Sequence, residues 1–293
     1  MTSGSSGSSA NAVGGRAPFG VRLRAAMDAH GPLCAGIDPH RALVEAWGLP
    51  YTLAGVERFA LTCAEAFGGQ VAAVKPQSAF FEVFGSGGVA LLERVVAALR
   101  DAGTLTVLDV KRGDIGSTMA AYADAFLRES PHAPDAITLS PYLGYESLRP
   151  AIDLAHATGR GVFVLALTSN PEGASVQHAT LDGVSVARSV VSGAAVDNAP
   201  ARGRDELGSV GLVVGATVGD AVRRLDLDLV GAATPVLAPG VGAQGAGPAQ
   251  LRDVFGAALP QVLAASSREV LGAGPDVRTL RDTARRTADA LRV

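Results

Sequence analysis

With 293 residues, 48% of them apolar, the chain can bury a full core, which excludes global disorder and leaves room for one large α/β barrel or two smaller domains. A formal net charge of −3 with dispersed basic residues excludes the electrostatic footprint of a nucleic-acid or membrane-surface binder, so a small-molecule ligand is expected. The 25 basic residues are unevenly typed: only Lys75 and Lys111 are lysine, and all the others are arginine.

Residues 1–16, MTSGSSGSSANAVGGR, lack the charged and apolar regions of a signal peptide, and their Ser/Gly richness predicts a flexible tail ahead of a single domain over 17–293. Apolar runs such as GVFVLAL are of strand length and fall far short of the ~20 residues that cross a bilayer, so no membrane association is expected. Cys34 and Cys63 show no CxxC or Cys/His spacing. They read as two buried thiols in a reducing cytoplasm.

From residue 32 onward, short apolar runs alternate with segments of helical periodicity. The expected strands are PLCAGID (32–38), QVAAVK (70–75), TLTVLDVK (104–111), DAITLS (135–140), GVFVLAL (161–167), SVGLVVGA (209–216), TPVLAPG (234–240) and QVLAASS (261–267). Helices are expected over 52–68, 88–103, 117–130, 145–159, 220–231 and about 275–292, several of them stopped by Gly. Segments 169–183 and 198–209 read as surface loops, the first near the site. Eight continuously apolar strands imply a parallel sheet covered on its outer face, and at this length they favour closure into a (β/α)8 TIM barrel. A doubly wound open sheet is the alternative, because apolar runs alone do not report closure.

In such a barrel the catalytic side chains come from the carboxyl ends of the strands. Here those ends carry Asp38, Lys75, Asp109 with Lys111, Ser140, Ser169, Gly240 and Arg268. The period of two turns Asp109 and Lys111 toward one cavity and Val110 and Arg112 away from it. A lone Asp-x-Lys is as readily a self-satisfied buried ion pair. Lys75 on the neighbouring strand and Asp114 on the following turn extend it into an alternating array, costly to desolvate unless it is used. Unlike Arg, Lys offers a compact ammonium able to release its proton.

The Gly-rich PGVGAQGAG (239–247) lets backbone N–H groups approach an anion, and Arg268 at the end of the eighth strand supplies a bidentate donor. Together they suggest a phosphate monoester end to the ligand, although the Gly-rich turn alone is a weak signal. The five His residues, at 30, 40, 132, 156 and 178, show no ligand pair at i, i+2 or i, i+4, so no metal is expected. Met27, Met119 and the Phe residues read as core, and Trp47 as packing beneath the first loop.

The combination of GPLCAGIDPH, VAAVKPQSAFFE, LDVKRGDIGSTMAAYA, TLSPYLGYESLRP, VFVLALTSNPEG, VLAPGVGAQG and SSREVL resembles the orotidine 5′-phosphate decarboxylases, in particular their longer bacterial subgroup, from about residue 19 to the C-terminus. The resemblance implies a (β/α)8 barrel acting as a homodimer with sites at the subunit interface and needing neither metal nor organic cofactor. It implies that Lys111 protonates C6 of the pyrimidine, that Asp109 lies beside the substrate carboxylate, and that Lys75 orients Asp109 and touches the ribose. Asp114, Ile115 and Thr118 are implied to reach the partner's site. Asp38 is implied to bind a ribose hydroxyl, Ser169 the pyrimidine amide edge, and Gln244 and Arg268 the phosphate. One departure is Gly-Ala at 245–246, where the subgroup has Gly-Gly. Three other readings stand beside it: a Mg²⁺-dependent sugar-acid phosphate decarboxylase on the same barrel, a Schiff-base aldolase using either lysine, and a non-catalytic phosphate-ligand binding barrel.

Overall fold

A computed structural model describes residues 15–242 and 245–292. Eight parallel strands close into a barrel: β1 (Leu33–Ile37), β2 (Ala73–Pro76), β3 (Leu105–Arg112), β4 (Ala136–Leu139), β5 (Gly161–Leu167), β6 (Val210–Val214), β7 (Val236–Pro239) and β8 (Val262–Ser266). Each strand pairs with its neighbours in sequence, and β8 returns to β1 through the Leu33–Ala264 and Cys34–Ala265 registers. Closure rules out the open sheet.

The longer helices are α1 (Phe19–His30), α2 (Leu53–Phe67), α3 (Gly85–Asp101), α4 (Gly116–Leu127), α5 (Arg149–Ala157), α6 (Val186–Asp197), α7 (Pro248–Phe255) and α8 (Val277–Ala290). In α2, Thr52 caps the first turn by accepting from Gly55 N, and Val56, Phe59, Ala60, Cys63 and Phe67 form the buried stripe. The Trp47 ring packs on Phe59 at 4.1 Å between centroids, and its Nε1 donates to the Leu271 carbonyl.

The two-residue period of the strands divides the core in two. Leu33, Ala35, Ile37, Val74, Leu108 and Val110 face outward to the helices, whereas Cys34, Ala73, Leu105, Val107, Phe163, Val213, Leu237 and Leu263 fill the barrel. The barrel floor is closed by α1, a helix absent from the sequence expectation. Phe19, Leu23 and Met27 enter the inner cluster, and Phe19 meets Phe163 edge to face at 5.8 Å. Only glycine fits at position 161, because a β-carbon there collides with the Phe19 ring. A polar latch surrounds this plug: Arg22 and Arg16 donate to Asp135 Oδ1 at 2.5 and 3.2 Å, and Asp135 Oδ2 accepts from Thr106 N.

Three other expectations change. The helix expected over 220–231 is a single turn, Ala221–Arg224, after which Asp226 adopts φ 52° and Leu227 and Leu229 turn into the core. Segment 169–183 folds into short helical turns and one strand of a hairpin, Thr180–Leu181 against Val184–Ser185. Segment 198–209 is only partly surface: Asn198 is buried, bonding both N and O of Val210, and Leu207 joins the inner core. Among the described residues, no helix is long and apolar enough to cross a membrane.

Candidate active site

The mouth of the barrel is built on an irregularity in β3. Leu108 pairs with Ile137 and Arg112 with Leu139, so β3 carries extra length opposite Thr138. Lys111 sits in this bulge with φ 43°. The sides expected from a simple two-residue period survive: Asp109 and Lys111 share the cavity side, Val110 enters the outer core, and Arg112 lies over the Tyr122 and Phe126 rings.

Four charged side chains form a chain across the mouth. Lys111 Nζ stands 2.6 Å from Asp109 Oδ1, Lys75 Nζ stands 3.0 Å from Asp109 Oδ2, and Lys75 Nζ lies 3.9 Å from Asp38 Oδ1. Lys75 also donates to Gln77 Oε1, and Thr138 Oγ1 donates to Asp109 Oδ1 at 2.9 Å. Burial alone raises the pKa of Asp109, but the two ammonium groups and their hydrogen bonds overcome it and bring the carboxyl down to about 2. Burial likewise disfavours charge on Lys75, yet Asp38 and Asp109 hold its pKa above the ordinary lysine value. Asp109 and Lys75 are therefore both ionised at neutral pH. Cys34 lies within the barrel interior, where burial pushes its thiol up to about 12 and leaves it inert.

Beside this array opens a cavity of about 570 Å³ lined by Gly36, Asp38, His40, Lys75, Ser267 and Arg268, together with the start of the glycine-rich turn. Asp38 Oδ1 and Ser267 Oγ are buried there without a hydrogen-bond partner among the described residues. Arg268 opens a short helix, Arg268–Leu271, with its side chain exposed at the cavity. In the turn, Gly240, Gly242 and Gly245 all take positive φ. Ala246 does not; it is buried in the outer core and its carbonyl accepts from Gly242 N, so the Gly-Ala departure falls where a side chain fits. Gln244 lies outside the described residues.

Asp114, Ile115 and Thr118 lie beyond β3, with Asp114 Oδ1 accepting from Ile115 N. Ile115 is 61% exposed and Thr118 is also exposed. Ser169 is exposed on the loop after β5, beside Gly215. The structure thus gathers Asp38, Lys75, Asp109, Lys111 and Arg268 around one mouth and leaves Asp114, Ile115, Thr118 and Ser169 on its rim or facing out. Sequence reasoning passed over Thr138, Gln77, His40 and Ser267. The signal for Thr138 was its inward parity in DAITLS, one strand from Asp109.

A closed (β/α)8 barrel with a Lys–Asp–Lys–Asp chain at its C-terminal strand ends, buried at Lys75 and Asp109, marks a barrel enzyme for a small anionic ligand. Residues 31–283 match the family described as Orotidine 5'-phosphate decarboxylase / HUMPS, and the chain belongs to it. It is 58% identical over 277 residues to an orotidine 5′-phosphate decarboxylase of Streptomyces coelicolor, covering 94% of this chain and 97% of that one. A crystal structure described as an orotidine 5′-phosphate decarboxylase from Streptomyces avermitilis superposes with a TM-score of 0.90 at 58% identity, covering 95% of this chain and 96% of that one. The OMP decarboxylase of Leishmania donovani follows at a TM-score of 0.69 and 31% identity, covering 92% and 97%.

Proposed function

We propose that this chain is a carboxy-lyase that converts orotidine 5′-monophosphate to uridine 5′-monophosphate, the last step of de novo pyrimidine nucleotide synthesis. The observation that carries the reading is the single carboxylate of Asp109 held between two ammonium groups, 3.0 and 2.6 Å away. Loss of carbon dioxide leaves an electron pair on the vinylic C6, where no ring carbonyl can delocalise it. Charge then appears that the ground state lacks, and a fixed cation at that point accelerates the step.

The bond from C6 to the carboxyl carbon breaks, its electron pair stays on C6, and the Lys111 ammonium delivers a proton there. Lys111 regains its proton from solvent. Asp109, ionised and held by Lys75, faces the departing carboxylate, so their repulsion is relieved as carbon dioxide leaves. Asp38, with a free buried oxygen, accepts from a ribose hydroxyl, and Lys75 touches the same sugar. Arg268 and Gln244 hold the phosphate at the glycine-rich turn, and Ser169 reads the pyrimidine amide edge. Phosphate binding far from C6 supplies energy that holds the substrate carboxylate against the preformed array.

The protein works as a cytoplasmic homodimer without metal or organic cofactor. Supporting the dimer, Ile115, Tyr142 and Leu143 expose apolar surface on the loops after β3 and β4 at 61%, 79% and 53%. Asp114, Ile115 and Thr118 there reach the partner's site. Relatives sharing most of the length carry the name orotidine 5′-phosphate decarboxylase, which tells against the sugar-acid phosphate reading, and carboxylates beside both lysines disfavour a Schiff base, which needs a neutral amine. The decisive experiment follows the loss of orotidylate absorbance with purified protein, with and without chelator. Turnover unaffected by chelator supports the proposal; no turnover returns the barrel to a binding role.

A further inference from the structure

Thr138 is 1% exposed, and its hydroxyl occupies the point where β3 bulges away from β4. The extra length of β3 takes the N–H groups of Val110 and Lys111 out of the regular strand ladder. Thr138 Oγ1 accepts from both, at 3.0 and 2.9 Å, and gives its own proton to Asp109 Oδ1 at 2.9 Å. A hydroxyl has one donor and two acceptor sites, and all three are used.

We infer that Thr138 is a positioning residue for the decarboxylation, its hydroxyl fixing both the left-handed backbone that carries Lys111 and the carboxylate against which the Lys111 ammonium rests. The inference rests on the reading of Lys111 as the proton donor. A lysine at φ 43° occupies a region that L-residues leave unless their surroundings hold them there. Thr138 holds Lys111 from its backbone N–H, and Asp109 Oδ1 holds it from the ammonium at 2.6 Å. Because Thr138 also binds that same oxygen, the two holds close a ring. Rotation or slippage of the bulge is blocked at both ends, which gives the ammonium one position relative to the carboxylate.

The test compares Thr138→Val, which keeps the shape and removes every hydrogen bond, with Thr138→Ser, which keeps the hydroxyl. A misplacement of the order of an ångström at a reacting group costs about 10²-fold, so kcat of the Val variant is expected to fall by about that factor. KM and the affinity for uridine 5′-monophosphate stay within about threefold, since phosphate and ribose are held elsewhere, and the Ser variant stays within about threefold in kcat. If the Val variant does not fold, Thr138→Cys, of similar volume and with weaker hydrogen bonds, is expected to lose about tenfold in kcat at unchanged product affinity.

A readout independent of turnover is the NMR titration of the Asp109 carboxyl. The groups facing it are Lys75 from β2 and Lys111 from β3, with Cys34 of β1 acting over a longer range and Asp38, just past β1, facing Lys75, and Thr138→Val changes none of them. Its midpoint rises in the Val variant, because a donor to the charged form is lost. Wild-type kcat and an unmoved Asp109 midpoint in folded Thr138→Val, or a fall in kcat that only tracks the folded fraction, overturn the inference. A wild-type protein that releases no carbon dioxide sinks the reading of the site instead, and the Asp109 midpoint then still decides whether the hydroxyl holds the carboxylate.

Discussion

Lys75 and Asp109, on adjacent strands, form an ion pair of 3.0 Å in which both side chains are 9% exposed, whereas Lys111, bonded to the same carboxylate, is 47% exposed. The two lysines therefore separate stability from chemistry. Lys75→Met leaves Asp38 and Asp109 without their shared counter-charge in the interior and is expected to cost about 3–5 kcal/mol in urea denaturation. Lys111→Ala removes a half-exposed partner and is expected to cost less than about 1.5 kcal/mol, while carbon dioxide release falls by at least about 10³-fold. Equal losses of stability in the two variants would refute this division.

Acid stability carries the signature of the same carboxylate. Asp109 titrates at about 2 in the folded chain against an ordinary value of 3.8. Between those values the unfolded chain binds more protons, so the charged group's contribution is complete above about pH 4 and is lost as pH falls toward about 2. It amounts to roughly 2 kcal/mol at neutral pH. In Asp109→Asn the slope of unfolding free energy against pH over that window flattens by about one proton, as measured by urea titrations at stepped pH.

The proposed sharing of each site between two subunits would make inactive variants complementary. Lys111→Ala and Asp114→Ala homodimers each lack one member of every site, whereas a hybrid dimer has one site with both defects and one with neither. Co-refolded in equal amounts, they should recover about a quarter of wild-type turnover. Mixtures as inactive as their parents would place Asp114 in the site of its own subunit.

The floor of the barrel should be as costly to open as its mouth. Phe19 is fully buried against Phe163, and Phe19→Ala empties a space that rigid strands cannot close. The expected loss is about 3–5 kcal/mol, read from the urea midpoint, with little change in KM because the mouth lies at the opposite end of the strands.

The alternation of apolar strands and periodic helices made the barrel legible, and strand ends named the five charged groups now seen around one mouth. The plug helix was legible too, since Phe19, Leu23 and Met27 recur at helical spacing before Gly31, but the alternation of strands and helices becomes plain only from residue 32 onward. Helix α6 was missed although Ser185 caps it and Ala187, Val190, Val191 and Ala194 form its stripe. The misread region was 225–229, where Leu225, Leu227 and Leu229 alternate in a way that suits an extended turn, and φ 52° at Asp226 ends the helix. Thr138 was legible by parity as an inward neighbour of Asp109, but its role was not. Its partners are backbone N–H groups freed by a bulge, and a bulge arises from the pairing of two strands that no local pattern records.

Both lysines stand in the mouth of the barrel, one buried and one half exposed, and the rest of the molecular surface takes its positive charge from arginine. Amine chemistry on the folded protein is thereby confined to the chain's N-terminal amine and Lys111. With Lys111 in its proposed role, acylation, reductive alkylation, cross-linking or lysine-linked tagging past the N-terminus would be the same event as loss of turnover, and a bound nucleotide would shield that amine from all of them at once.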